Sequence, residues 1–178
     1  MIKRQTWLLL ILLVVVIGIF FILRGRPTTS TEPTPTALGY NFLVTENSFL
    51  ASLRMYDPEY HFLLLERGED AIWTVTLPHP GDADQALAEA AATQALSIRI
   101  VTMLETAPSL DTLGLNPPAF TIILTFVNGR EYTIEIGSLT PTSSGYYARR
   151  SDGQIFVIST SIDALLGLLE NPPYASNE

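Results

Sequence analysis

The sequence predicts an α+β protein: antiparallel β-meanders each followed by a helix, in two similar meander-plus-helix units, preceded by one transmembrane helix. Three observations carry that expectation. Short segments of alternating apolar and polar residues recur between turn signals, which is the pattern of half-buried strands. Each run of such segments ends in a helical signal, an Ala-rich stretch in one case and a Ser/Thr-capped one in the other. A single continuous apolar run lies ahead of both.

That run covers 17 residues from Trp7 to Leu23, all apolar if Gly18 is counted, with Lys3 and Arg4 before it and Arg24 and Arg26 after it. As a helix it would measure about 25 Å, slightly under the roughly 30 Å hydrocarbon core of a bilayer, and snorkelling Arg24 can cover the difference. A cleaved signal peptide is the competing reading. Such peptides have apolar regions of about 7 to 15 residues and end in small residues, whereas Arg-Gly-Arg-Pro follows here. Residues 1–26 therefore read as a retained anchor with Trp7, Leu23 and Arg24 at its borders, partnered by membrane lipid through residues 7–23. The charge balance across it is close; the reading favours a cytoplasmic N-terminus and an extracytoplasmic C-terminal domain at the cell membrane.

Residues 27–37 contain three prolines, six hydroxyl residues and no large apolar side chain, a composition that builds no core and reads as a tether. Residues 38–171 form the expected folded domain and 172–178 a disordered tail. From Leu38 onward there are six arginines, no lysine and 17 acidic residues, a formal charge of -11, against -8 for the whole chain. So acidic a domain is a poor binder of nucleic acid, whose affinity comes mainly from Lys and Arg on phosphates. With no cysteine, disulfides, thiolate nucleophiles and thiolate metal sites are excluded.

Within the domain, Ala51–Tyr56, Tyr60–Arg67 and Ala71–Leu77 read as strands separated by Asp57-Pro58 and Gly68-Glu69-Asp70. Asp82, with Gln85 three residues on, suggests a capped helix start, and the Ala-rich run to Leu96 is a strong helix former. Beyond it Leu96, Ile98 and Ile100 alternate as an extended chain. Phe120–Val127 and the segment containing Tyr132, Ile134 and Ile136 flank Asn128-Gly129, a hairpin signature. A loop from Gly137 to Gly145 leads to strands at Tyr146–Arg150 and Gln154–Ile158. Ser159-Thr160-Ser161 then opens a short helix carrying Ile162, Leu165, Leu166 and Leu169.

Motifs for phosphate loops, dinucleotide binding, hydrolase elbows, zinc proteases and calcium loops are absent, and the only lysine is Lys3. No catalytic residue, metal ligand or cofactor is therefore assigned. His79, Asp82 and Asp84 lie within six residues, a set able to hold a divalent cation; the alternative is that Asp82 caps the helix, Asp84 favours its positive end and His79 is solvated in the loop. Ser143-Ser144-Gly145 supplies hydroxyls without a histidine near in sequence to activate them. The remaining candidate is the strand with Tyr146, Tyr147, Arg149 and Arg150, an aromatic and guanidinium set suited to a glycan, an anionic headgroup or a protein partner; packing of one tyrosine and pairing of the arginines with acids is the alternative.

The order of Trp73-Thr-Val-Thr-Leu-Pro78, Asp82-Ala-Asp84-Gln85, Leu113-Gly114-Leu115-Asn116-Pro117-Pro118, the Phe120 strand with Asn128-Gly129-Arg130, Ile136-Gly137 and Gly145-Tyr146-Tyr147-Ala148-Arg149 resembles the bacterial family catalogued as domain of unknown function 4340. The resemblance would cover most of Leu38 to Leu169. It implies a membrane-anchored protein, in some members beside ABC-type export systems, with no activity or catalytic residues to carry over. Gly114 and Pro117 there suit a left-handed helix end and a strand entry. The resulting expectation is a non-enzymatic, single-pass protein whose extracytoplasmic domain serves an envelope or transporter-associated complex; the alternative is a module binding cell-wall glycan or a small solute.

Overall fold

A computed structural model describes residues 43–176. The chain forms β1 (Leu50–Tyr56), β2 (Phe62–Arg67), β3 (Trp73–Leu77), β4 (Gly81–Asp82), helix α1 (Gln85–Leu96) and β5 (Ile100–Met103). It continues through β6 (Phe120–Phe126), β7 (Glu131–Leu139), β8 (Tyr146–Arg150) and β9 (Ile155–Ile158). The four-residue helix α2 (Asp163–Leu166) follows, between 3-10 turns at Thr160–Ile162 and Gly167–Leu169.

These strands make one nine-stranded sheet in the order β4-β3-β2-β1-β6-β7-β8-β9-β5, with every pairing antiparallel. The two meanders meet at its centre, where β1 pairs with β6 in the register Leu53↔Leu124 and Met55↔Ile122. The expected α+β arrangement of two meander-plus-helix units is thereby overturned: among the described residues there is a single sheet, and only α1 is a helix of substantial length. The physical reason lies in long-range pairing. The first meander does not form a sheet of its own, because its β1 edge is satisfied by β6 and the strand after α1 pairs with β9.

Eight interstrand gaps of about 4.8 Å would put the sheet's edges roughly 38 Å apart if it were flat. Residues 83–99 join β4 to β5, and their 12-residue helix supplies only about 18 Å. The five other residues add about 17 Å when extended, so the connection just reaches from one edge to the other across the face that carries the core. Register breaks lie between Leu50 and Ser52 in β1, Leu64 and Leu65 in β2, Ile136 and Leu139 in β7 and Ile100 and Thr102 in β5, and such bulges add local bend and twist. On the core face of the sheet Leu53, Met55, Leu63, Leu65, Trp73, Val75, Ile122, Leu124, Ile134, Ile136, Phe156 and Ile158 pack with Ile162, Leu165 and Leu169. Helix α1 lies close on this face because its buried positions, Ala88, Ala91, Ala92 and Ala95, are all alanine at i, i+3, i+4 and i+7.

Several local expectations change for identifiable reasons. The helix cap is Asp84, whose carboxylate accepts from the N–H groups of Ala86 and Leu87 at 2.9 and 3.0 Å; Asp82 belongs to β4. Gln85 does not complete a capping box, because its amide is taken by β3: it accepts from the Trp73 N–H at 2.8 Å and donates to the Trp73 carbonyl at 2.8 Å. The expected Gly137 loop is instead the continuation of β7 to Leu139. Buried Gly137 leaves room there for the carbonyl of Leu113, which the Ser138 N–H meets at 2.9 Å. Gly114 takes the left-handed conformation expected of it, at φ +66°. Residues 172–176, expected as part of a disordered tail, are fastened to β4 and α1: Pro173 accepts from the Asp84 N–H at 2.8 Å, and Ala175 donates to Asp82 at 2.9 Å.

The apolar segment 7–23, with Trp7, Leu23 and Arg24, and the 27–37 tether lie outside the described residues. Among the described residues no helix is long and apolar enough to cross a membrane.

Candidate functional site

Strand β8 divides the candidate quartet between two faces, as the two-residue repeat of a strand requires. Ala148 is buried in the core, and Tyr146 and Arg150 flank it on that side. Tyr146 packs against the core and bonds to Asp163; burial first, and then that bond, push its hydroxyl pKa up. The Arg150 guanidinium lies 5.1 Å from the centre of the Phe156 ring, donates to Asp152 at 2.6 Å, to Gln154 at 2.9 Å and to the Leu43 carbonyl at 3.2 Å. Tyr147 and Arg149 occupy the opposite face, where Arg149 is engaged by its cross-strand neighbour Glu135 and is held more firmly protonated by that bond. The four side chains are not presented to one ligand.

The other sequence candidates are also apart. Asp84 is used by α1, Asp82 sits in β4, and the His79 backbone exchanges bonds with the Tyr174 hydroxyl at 3.2 and 2.9 Å. Among the described residues no three His, Asp or Glu side chains converge as a metal-binding group. Ser144 is tied to Thr140 and Thr142 at 3.2 and 2.9 Å, in a hydroxyl cluster that stabilises its own turn.

The structure instead brings groups together at the two ends of β1. At its far end, Asp57 opens the turn to β2. One carboxylate oxygen accepts from the N–H groups of Glu59 and His61 at 2.9 and 3.0 Å; the other bonds to the His61 ring Nδ1 at 2.7 Å. Burial opposes ionisation of Asp57, yet the His61 ring and these N–H groups hold its carboxyl below the usual range. The same bond, reinforced by the charges of Asp57, Glu59 and Glu170, raises the pKa of His61. Beneath this turn Asp57, Tyr146, Asp163 and Glu170 border a cavity of about 250 Å³. On the sheet face away from the core Tyr56 and Phe62 are cross-strand partners with ring centres 6.0 Å apart. Tyr56 also borders a cleft of about 170 Å³ with Pro58, Pro117 and Pro118.

At the near end of β1, Phe49 is 78% exposed and Val127 70% exposed, and the Val127 N–H donates to the Phe49 carbonyl at 3.0 Å. They border a cavity of about 420 Å³ with Leu50, Ala51, Arg67 and Ala71. Arg130 of the same hairpin pairs with Glu46 at 3.0 Å, fixing the chain that leads to Phe49. Sequence reasoning passes over both ends. Asp57-Pro58 is legible as a turn, and the His61 spacing from Asp57 was the available signal; an exposed Phe49 has none.

No model of a known family matches the chain, and neither does any curated protein or solved structure.

Proposed function

We propose that this protein is a membrane-tethered, extracytoplasmic interaction domain, held by residues 7–23 and the 27–37 tether, that docks onto another envelope protein as an accessory subunit of a larger complex. The observation that supports it is the Phe49–Val127 surface. Two apolar side chains, one just before β1 and one just after β6, are joined by a backbone hydrogen bond, exposed together, and set beside a hollow that Leu50, Ala51 and Ala71 line with Arg67 and Glu69. Isolated exposed apolar residues are ordinary; a pair held rigidly at the rim of a cavity has the form of a binding anchor. A place beside a transporter, and kinship with the domain of unknown function 4340 family, belong to the same proposal and rest on the order of the sequence segments named above.

The test is co-purification from detergent-solubilised membranes with the wild-type chain and the Phe49→Asp, Val127→Asp double variant. The wild type is expected to bring a stoichiometric membrane protein that the variant, equally well folded by circular dichroism, leaves behind. Recovery of the wild type alone at monomeric mass overturns the reading. Protease treatment of spheroplasts checks the topology: cleavage near residues 27–37 is expected, and full protection would place the domain in the cytoplasm.

A further inference from the structure

Tyr60 breaks a local rule: its N–H donates to the Asp57 carbonyl at 3.3 Å, but its ring gives the fold nothing in return. It sits at φ +68°, a region that bulky side chains avoid, and its side chain is 82% exposed, so packing does not compensate the conformation. The turn cannot relax around it, because Asp57 holds the N–H groups on either side, those of Glu59 and His61. The β6–β7 and β8–β9 turns place glycine in the same region, Gly129 at φ +79° and Gly153 at φ +82°, and the other non-glycine residues found there among the described residues are the small Ala71 and Ser143, at φ +63° and +53°. A large aromatic ring kept in a strained, solvent-facing position points to a ligand that uses the ring.

Its surroundings restrict what that ligand is. Phe62, two residues on, is partly exposed and pairs with Tyr56, so a second patch of exposed ring surface lies next to the turn in the chain, on the sheet face away from the core. The polar groups beside it are the exposed carboxylate of Glu59 and the imidazole of His61, whose Nδ1 is engaged by Asp57 while Nε2 stands outside that bond. Glu59 and Asp57 in a domain of formal charge -11 disfavour anions. Aromatic faces accept the C–H faces of sugar rings, and carboxylates accept hydrogen bonds from their hydroxyls. We propose that the β1–β2 turn is a binding site for a neutral oligosaccharide, with Tyr60 as the stacking platform, Phe62 and Tyr56 extending it, and Glu59 and His61 contacting hydroxyls. Tyr56 ends β1 and Phe49 precedes it, so this site lies across the sheet from the protein-docking surface proposed above.

The experiment uses the full chain in a detergent without sugar headgroups, titrated by calorimetry with chitohexaose, cellohexaose and maltohexaose, and with an oligogalacturonate as the charged control. Saturable binding of at least one neutral hexasaccharide, and none of the oligogalacturonate, is expected. Tyr60→Ala and Phe62→Ala should each weaken it tenfold or more. The separating variant is Tyr60→Gly, which relieves the backbone: its melting temperature is expected to rise by about 2 to 5 °C while binding falls at least tenfold. Failure of all three neutral sugars to bind overturns the proposal. So does retained affinity in Tyr60→Gly, and so does a lowered melting temperature, which would show that the ring serves the fold.

Discussion

Two hairpin turns at opposite ends of the sheet solve the same problem by different means. Between β6 and β7 the chain reverses through Asn128-Gly129: the Gly129 N–H donates to Phe126 at 2.8 Å, and the Phe126 N–H closes the loop onto Arg130 at 2.9 Å. Glycine adopts its positive φ without cost and a side chain there would meet open space. Between β1 and β2 a tyrosine occupies the corresponding region, and one carboxylate, that of Asp57, gathers two backbone N–H groups and an imidazole. The reversal at Asn128-Gly129 is set by backbone conformation, and the ion pair beside it, Arg130 with Glu46, stays charged across neutral pH. A turn stabilised by a side-chain acid and a histidine depends on protonation, and it can hold an unfavourable residue in place.

The largest difference between them should come from removing the polar residue that organises each. Asp57→Ala takes away three hydrogen bonds and is expected to cost about 2 kcal/mol, whereas Asn128→Ala, which loses the acceptor for the Arg130 N–H at 3.0 Å, should cost about 0.5 to 1 kcal/mol. Urea unfolding midpoints of the two variants would decide it, and equal losses would remove the contrast. Next in size, Gly129→Ala should cost about 1 kcal/mol through backbone strain alone, since nothing crowds the added methyl. If Gly129→Ala is neutral, the turn has more freedom than its geometry indicates.

The smallest effect is the one with a pH signature. His61 has a raised pKa in the folded protein, so its contribution is complete below the ordinary imidazole value near 6.5 and fades as pH rises through the higher folded value. Asp57 has a lowered pKa, so its contribution is complete above the ordinary carboxylate value near 3.9 and fades as pH falls through the lower folded one. The pair therefore supports the turn fully between about pH 4 and 6.5. Melting temperatures of wild type and His61→Gln measured from pH 5 to 9 should converge towards alkaline pH; curves that stay parallel would show that the imidazolium is not what holds this turn. No such slope is expected from the Asn128 turn.

Much of the local structure is legible from residue order alone. The alternation in Phe120–Phe126, the Asn128-Gly129 reversal, the Tyr146–Arg150 strand and the alanine helix all follow from spacing. What escapes is decided at a distance. Nothing in Leu50–Tyr56 announces that it pairs with Phe120–Phe126, nor in Ile100–Met103 that it pairs with β9. Two aspartates two residues apart can each cap a helix, and the choice of Asp84 follows from Gln85 being drawn to Trp73. The spacing of Ile162, Leu165, Leu166 and Leu169 fits a continuous helix and equally fits the short helix between two 3-10 turns that forms. At the site level, strand alternation already separates Tyr146 and Arg150 from Tyr147 and Arg149. The conformation of Tyr60 has no sequence signature, because tyrosine is among the residues least expected there.

The fastening of residues 172–176 along β4 bears on solubility. A sheet that ends in an uncovered strand offers its free backbone groups to any neighbouring molecule, and identical chains can stack through such edges. Here the closing residues of the described chain occupy that position: Tyr174 bridges to Ala83, and Ala175 bonds to Asp82. The amide of Gln85 shields the adjoining stretch at Trp73. Residues 172–176 thus act as a selvedge, a woven border that keeps one copy of the sheet from fraying into the next.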